Sequence, residues 1–254
     1  MPQPALSRGP ALGWPLRPVA HRGLHDVAIG RIENTPSAFA SAIAKCYAIE
    51  CDVQAAADGE PVVFHDDTLD RLMDATGLVA ERTPSELAQL AYRGGADRIL
   101  TLDMLLAQVA GRAPLLIEIK TMFGAPGRFV QRICDIAAGY QGPLALMSFD
   151  HRAMIAVREF APHIARGLIS YRWDDDWMPQ VPPAERAKLR DLAYHGEVEP
   201  SLIAYDIDDL PEAAPLDLRA QLGIPLFTWT VRTPLQRARA AEYADAIIFE
   251  GFEP

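Results

Sequence analysis

Four short apolar runs in this chain close on ionisable residues: His21-Arg22-Gly23, Glu50-Cys51-Asp52, His65-Asp66 and Glu118-Ile119-Lys120. In a β-strand, residues two apart face the same side. Glu50 and Asp52 therefore point together, as do Glu118 and Lys120, while Cys51 and Ile119 face away. Three carboxylates brought to one place repel one another unless a cation sits among them. An all-oxygen set suits a hard ion, so Glu50, Asp52 and Glu118 predict one divalent cation, Mg²⁺ or Ca²⁺, and offer nothing soft for zinc or iron. The alternative is an ion-paired layer in which Arg22 and Lys120 merely neutralise the acids. His21 and His65 favour chemistry. Two imidazoles beside a metal and two cations are what acid–base cleavage of a phosphodiester requires: one takes the proton of the nucleophilic oxygen and the other protonates the leaving alkoxide. Each transfer is worth roughly 10²–10⁴-fold. Arg22 as a bidentate fork and Lys120 as a point charge suit the charge that develops on phosphoryl oxygens.

Such residues must be held by a scaffold, and the chain supplies a regular one. Apolar β-type runs at 17–22, 47–54, 113–120, 143–149, 164–170, 201–207, 225–231 and 245–249 alternate with helical patterns. A further short run at 61–65 follows the turn Ala57-Asp58-Gly59-Glu60 and reads as a hairpin added to the second strand. Helix starts are signalled at Thr35-Pro36, Thr83-Pro84, Thr101 and Thr233-Pro234, with Glu86 placed to complete a capping box on Thr83. Eight strands with helical crossovers in 254 residues predict an α/β fold, a (β/α)8 TIM barrel spanning 1–254 as one domain. A doubly wound open sheet is the competing architecture. In a barrel, the strand C-terminal ends carry the chemistry, which is where the four ionisable clusters fall. Residues 66–100 are too long for an ordinary connection, and 171–183 form an acidic, aromatic, proline-rich loop.

Composition narrows the class. Lys and Arg number 24 against 34 Asp and Glu, a formal net charge of −10. That balance argues against a general nucleic-acid partner and against anionic membranes. Lys120 is one of only three lysines, with Lys45 and Lys188. The three cysteines, Cys46, Cys51 and Cys134, fit neither a disulfide framework nor a zinc knuckle, so a reducing, cytoplasmic setting is expected. No apolar run approaches the roughly 18 residues of a membrane span, and the proline-rich start lacks the apolar stretch of a cleaved signal peptide. HExxH, P-loop, GxSxG and GxGxxG signatures do not occur. Nothing indicates an oligomeric state.

Taken in order, His21-Arg22-Gly23, Glu33-Asn34-Thr35, Glu50-x-Asp52, His65-Asp66 and Glu118-Ile119-Lys120 resemble the glycerophosphodiester phosphodiesterases. The run 58–72, DGEPVVFHDDTLDRL, is similar to the family's stretch around its second histidine, and Ser148-Phe149 and Thr228-Trp229-Thr230 add weaker likeness. Any one motif is common; the ordered set is specific. The resemblance implies a TIM-barrel hydrolase, with a small helical insertion after the second strand at about 66–100. It would release an alcohol and glycerol 3-phosphate from a small-molecule glycerophosphodiester. By position, His21 and His65 match the acid–base pair, and Glu50, Asp52 and Glu118 the metal ligands. Arg22 and Lys120 match the phosphate contacts, and Glu33 a supporting residue near the first histidine. Trp229 is counted with the substrate contacts, although strand parity alone leaves its face undecided.

The match departs from the family at the last strand, where Glu250 stands near the usual Thr-Asp and its role is left open. The 171–183 segment reads first as a solvated loop; the alternative is that Trp173 and Trp177, flanking Asp174, Asp175 and Asp176, line a pocket for a choline-like cation. Asp66 reads as a local partner for the His65 region. His25, His151, His163 and His195 read as structural or surface residues, His25 least securely because it lies four residues past His21. Two other functions compete: a phospholipase of the same superfamily acting on lysophospholipid head groups, which needs an apolar surface to meet lipid, and a catalytically inactive barrel that binds phosphate esters.

Overall fold

Strand alternation here buries both faces, because each strand has one side toward a barrel interior and the other under helices. A computed structural model describes residues 7–121, 123, 127–175 and 177–254. Its strands are β1 (Val19–Ala20), β2 (Ala48–Ala55), β3 (Pro61–Val63), β4 (Leu115–Ile119), β5 (Leu144–Ser148), β6 (Ala165–Ser170), β7 (Leu202–Asp206), β8 (Leu226–Val231) and β9 (Ala246–Phe249). All neighbouring pairs are parallel except β2 with β3, and β1 pairs with both β2 and β9, closing eight strands into a barrel. This is the expected TIM barrel, with the expected hairpin on the second strand.

Parity follows the sequence pattern. Val19, Ala48, Leu116, Ala145, Leu202 and Phe227 fill the barrel interior. Ile49, Cys51, Val53, Ile117 and Ile119 point outward into a second apolar layer against Phe39, Leu105, Ile133 and Met154 of the surrounding helices. Glu50 and Asp52 consequently share the inner side with Ala48, and the register sets Asp52 opposite Glu118 on the neighbouring strand.

The first strand is shorter than the predicted 17–22. Pro18 has no N–H to donate, and the chain turns out of the ladder at Arg22 and Gly23, whose φ angles are 54° and 78°. Gly23 is required there: a Cβ would meet that of Ala38 at 2.9 Å. Two of the four predicted helix caps form. Thr83 with Glu86 and Thr233 with Gln236 make capping boxes, whereas Thr35 turns its hydroxyl to the Ile32 carbonyl at 2.7 Å and Thr101 makes no side-chain cap.

The 66–100 insertion holds little helix, a 3₁₀ turn (Val79–Glu81) and one short helix (Pro84–Leu87). Two isolated bridges, Thr68 with Leu78 and Met73 with Tyr92, shape the rest. It folds over its own core of Leu69, Met73, Val79, Leu87 and Tyr92, capped on Phe64 after β3. The loop after β6 is exposed at most of its described positions, as expected, but Tyr171 and Trp173 are buried and stack at 4.5 Å. Their large apolar rings cover the barrel mouth beside Phe149. Asp176 of that loop lies outside the described residues. Among the described residues no helix is long and apolar enough to cross a membrane, and Cys46, Cys51 and Cys134 carry free thiols.

Candidate active site

The end of β1 delivers His21, whose main-chain N–H bonds the Phe249 carbonyl of β9 at 2.9 Å. Its side chain is 13% exposed, with Nδ1 2.6 Å from Glu250 Oε2 and Nε2 3.9 Å from Glu50 Oε2. A carboxylate can only accept, so Glu250 places the ring proton on Nδ1 and leaves the Nε2 lone pair on the other side. Burial pushes the His21 pKa down, and the Glu250 hydrogen bond works against that. Glu250 is itself half-buried, which favours its neutral form. The bond from His21, the nearby His25 ring and the Arg232 guanidinium, 2.5 Å from Oε1, outweigh burial and hold its carboxyl well below the usual carboxylate range. His25 Nε2 lies 3.5 Å from Glu250, so the histidine read as structural belongs to this cluster.

His65 follows β3 and is built the same way, with Nδ1 2.7 Å from Asp66 Oδ1. Gln54 pins this corner by donating to the Phe64 and Asp66 carbonyls at 3.0 and 2.6 Å. From the insertion, Arg71 reaches back to grip two carboxylates at once: Asp66 at 2.6 and 2.8 Å and Glu33 at 2.9 and 2.7 Å. Glu33 also accepts from Arg22 Nη1 at 2.6 Å. Glu33, expected as a supporting residue near the first histidine, contacts the next residue, Arg22.

Arg22 adopts the left-handed backbone region, which costs a non-glycine residue about 1 kcal/mol or more. Its N–H donates to Glu50 Oε2 at 2.9 Å and its carbonyl accepts from Asn34 at 2.8 Å. Glu50, Asp52 and Glu118 each present a carboxylate oxygen, all within 4.8 Å of one another. Lys120 Nζ stands between two of them, 3.1 Å from Asp52 and 2.8 Å from Glu118. Asn34 Nδ2 adds a bond to Asp52 Oδ2 at 2.8 Å. Burial would raise the Asp52 carboxyl, yet Lys120, His65 and Arg22 hold it well below its ordinary range. Glu50 is left with the crowding: burial, then Asp52 and Glu118, push its carboxyl well above the ordinary value. The ion-paired layer considered above accounts for Asp52 and Glu118, and not for Glu50. A donor set of two buried carboxylates and the partly buried Glu118, with surplus negative charge, is chemically suited to a hard divalent cation.

His21, Arg22, Glu50, His65, Glu118 and Lys120 all line one cavity of about 210 Å³ at the strand C-terminal ends. Asp52 lies beneath them, almost completely buried, and Glu33 stands behind Arg22. The opposite wall is made by Phe149, Trp177, Trp229, Asp206 and Asp208, which settles the face of Trp229: it points into the cavity. Three contributors carried no assigned role on sequence grounds. Asp206 and Glu250 end or follow strands, so the strand-end rule that found the other clusters extends to them. Arg71 had no such signal, since it comes from the insertion and meets its partners only in three dimensions.

So equipped at its C-terminal face, the barrel has the parts to bind and break a phosphate ester. Residues 21–250 match the glycerophosphoryl diester phosphodiesterase family, and this chain belongs to that family and is thus a phosphoric diester hydrolase acting on a small-molecule substrate. It is 30% identical over 225 residues to a glycerophosphodiester phosphodiesterase of Caldanaerobacter subterraneus subsp. tengcongensis, covering 84% of each chain. Among solved structures, an Oleispira antarctica phosphodiesterase in complex with the product sn-glycerol-3-phosphate superposes with a TM-score of 0.73 at 22% identity, covering 92% of this chain and 93% of that one. A glycerophosphodiester phosphodiesterase from Thermotoga maritima gives 0.70 at 22% identity, covering 93% and 95%. At these identities the structural likeness carries the fold.

Proposed function

We propose that this protein hydrolyses glycerophosphodiesters to glycerol 3-phosphate and an alcohol, with His21 and His65 as the acid–base pair. The observation that carries this reading is that both imidazoles are anchored through Nδ1 by a carboxylate, Glu250 and Asp66, on the rim of the cavity that holds the acidic triad. Anchoring fixes the tautomer and leaves the second nitrogen of each ring to move a proton to or from substrate oxygen. Glu50, Asp52 and Glu118 would hold one divalent cation, Mg²⁺ or Ca²⁺, which when bound supplies positive charge to the phosphoryl oxygens. Lys120 presents a buried ammonium at the same place, and Arg22 presents a guanidinium steadied by Glu33. Both suit the same anionic oxygens. A reducing, cytoplasmic setting belongs to this reading and is supported by the three free thiols.

The test is direct. Purified protein should hydrolyse glycerophosphodiesters with Mg²⁺ or Ca²⁺, lose turnover in EDTA and regain it on adding the ion back. His21→Ala and His65→Ala should each lower kcat by at least about 10²-fold; full activity in either variant would remove that histidine from the chemistry.

A further inference from the structure

The two imidazoles of the site are anchored by carboxylates that are themselves held unequally. Asp66 is next in the chain to His65, has a short arm, and is gripped on both oxygens by Arg71 at 2.6 and 2.8 Å. Glu250 must reach His21 across the closure of β1 on β9, on an arm one bond longer. Each added rotatable bond raises the entropy lost when such an arm is fixed. Arg232 bonds Oε1 at 2.5 Å from a side chain 51% exposed to solvent, where an ion pair is screened and restrains little. The oxygen that His21 uses is Oε2. Besides His21, that oxygen faces the His25 ring, whose Nε2 stands 3.5 Å away. This nitrogen is buried and makes no hydrogen bond among the described residues. The loop that carries it is tightly tied: the His25 main-chain N–H bonds the Gly23 carbonyl at 2.9 Å, and Asp26 and Arg31 exchange main-chain bonds at 2.8 and 3.1 Å just beyond.

We propose that His25 is a positioning residue for the reaction: it donates its Nε2–H to Glu250 Oε2 and so fixes the carboxylate that orients His21. The proposal rests on the phosphodiesterase reading above, in which His21 moves a proton. A carboxylate can only accept, so the His25 nitrogen that faces Glu250 must carry a hydrogen. A buried donor left without a partner is unfavourable. A shift of about 0.5 Å by either side chain brings the pair to ordinary N–H···O length. One carboxylate oxygen has two lone pairs, so Oε2 can accept from His21 and His25 together. With Arg232 on Oε1, the carboxylate is then held from three sides and keeps its aim at His21 Nδ1. Without His25 the longer arm of Glu250 is free to turn, and the His21 ring loses the acceptor that sets its tautomer. His65 is indifferent to this change, since Asp66 and Arg71 hold it from the other side of the site.

The experiment has two arms. Steady-state kinetics on glycerophosphoethanolamine with Mg²⁺ compare the wild type with His25→Phe, His25→Gln, Glu250→Ala and the double variant combining His25→Phe with Glu250→Ala. His25→Phe keeps a ring and removes the donor; its kcat should fall about tenfold with KM little changed, as losses of supporting partners typically do. His25→Gln returns an N–H at similar reach and should recover most of that loss. In the Glu250→Ala background His25→Phe should cost nothing further, because both residues act through one contact. The second arm needs no turnover. In nitrogen-edited proton spectra of the imidazoles, the His21 Nδ1 proton should be sharp in the wild type and in His25→Gln, and broadened by solvent exchange in His25→Phe and Glu250→Ala. The His65 Nδ1 proton should stay sharp in all of them and so reports that each variant is folded. In an active enzyme, an unchanged kcat or an unchanged His21 proton in His25→Phe, a loss that adds to that of Glu250→Ala, or a loss that glutamine does not repair would overturn the proposal. Protein without turnover whose His21 proton still depends on His25 would sustain the contact and bring down the phosphodiesterase reading instead.

Discussion

His21 sits where burial favours a neutral ring, and Glu250 decides which nitrogen carries its proton. Glu250→Ala removes that acceptor and lets the ring rotate or change tautomer. Its kcat should fall roughly 10–100-fold with KM little changed, within the roughly 10²–10⁴-fold a positioned acid or base contributes; steady-state kinetics read this directly, and an unchanged kcat would make Glu250 a bystander. Asp206 makes a different prediction. Its carboxyl stands at about 6 in the folded protein against an ordinary value of 3.8, so between those values the folded state binds more protons than the unfolded one. Stability must then fall as pH rises through that window. Asp206→Asn has no proton to lose, so its Tm relative to the wild type should climb from about pH 4 to 6 and level off above. A difference independent of pH would place that carboxyl in solvent.

At the scale of elements, the insertion after β3 earns its place through one side chain. Arg71 ties Glu33, the partner of Arg22, to Asp66, the partner of His65. Arg71→Ala should lower kcat/KM about tenfold or more through loosened positioning, as losses of supporting partners typically do, and Arg71→Lys should restore little because an ammonium cannot grip both carboxylates in a planar fork. By contrast, Thr233→Ala removes only the capping box ahead of the helix Pro234–Tyr243. It should cost about 1 kcal/mol in urea denaturation and leave kcat unaltered. The β-strands and the hairpin were readable from alternation and turn residues alone. The length of β1 was not, because its end depends on Gly23 passing Ala38 in space. The low helix content of 66–100 was also hidden: its segments are stabilised by contacts around Tyr92 and Met73 and by little local propensity.

For the whole molecule, the barrel gathers like charge at one end, and Glu50 carries the surplus. A cation bound by the folded state alone stabilises it by mass action, about 2.7 kcal/mol at a hundred times Kd. In a domain of this size that corresponds to roughly 5–10 °C in Tm. Saturating Mg²⁺ or Ca²⁺ should therefore raise the wild-type Tm by that order, and Glu50→Gln should reduce the shift. The same variant should raise the Tm of metal-free protein, since it relieves repulsion among the three acids. A metal-independent Tm would mean that Lys120 and Arg22 balance the triad without an ion.

Residue types and spacing determined by themselves the barrel, the shared face of Glu50 and Asp52, and the membership of the histidine and acidic sets. Strand periodicity and the strand-end rule are local, so they are written in the chain. The tertiary structure alone decided the partnerships. Glu250 reaches His21 across the closure of β1 on β9, Arg71 comes from the insertion to Glu33, and Trp229 turns inward beside Asp206 and Phe149. Those contacts join residues from tens to more than two hundred positions apart, and only closing the barrel fixes the distance between them.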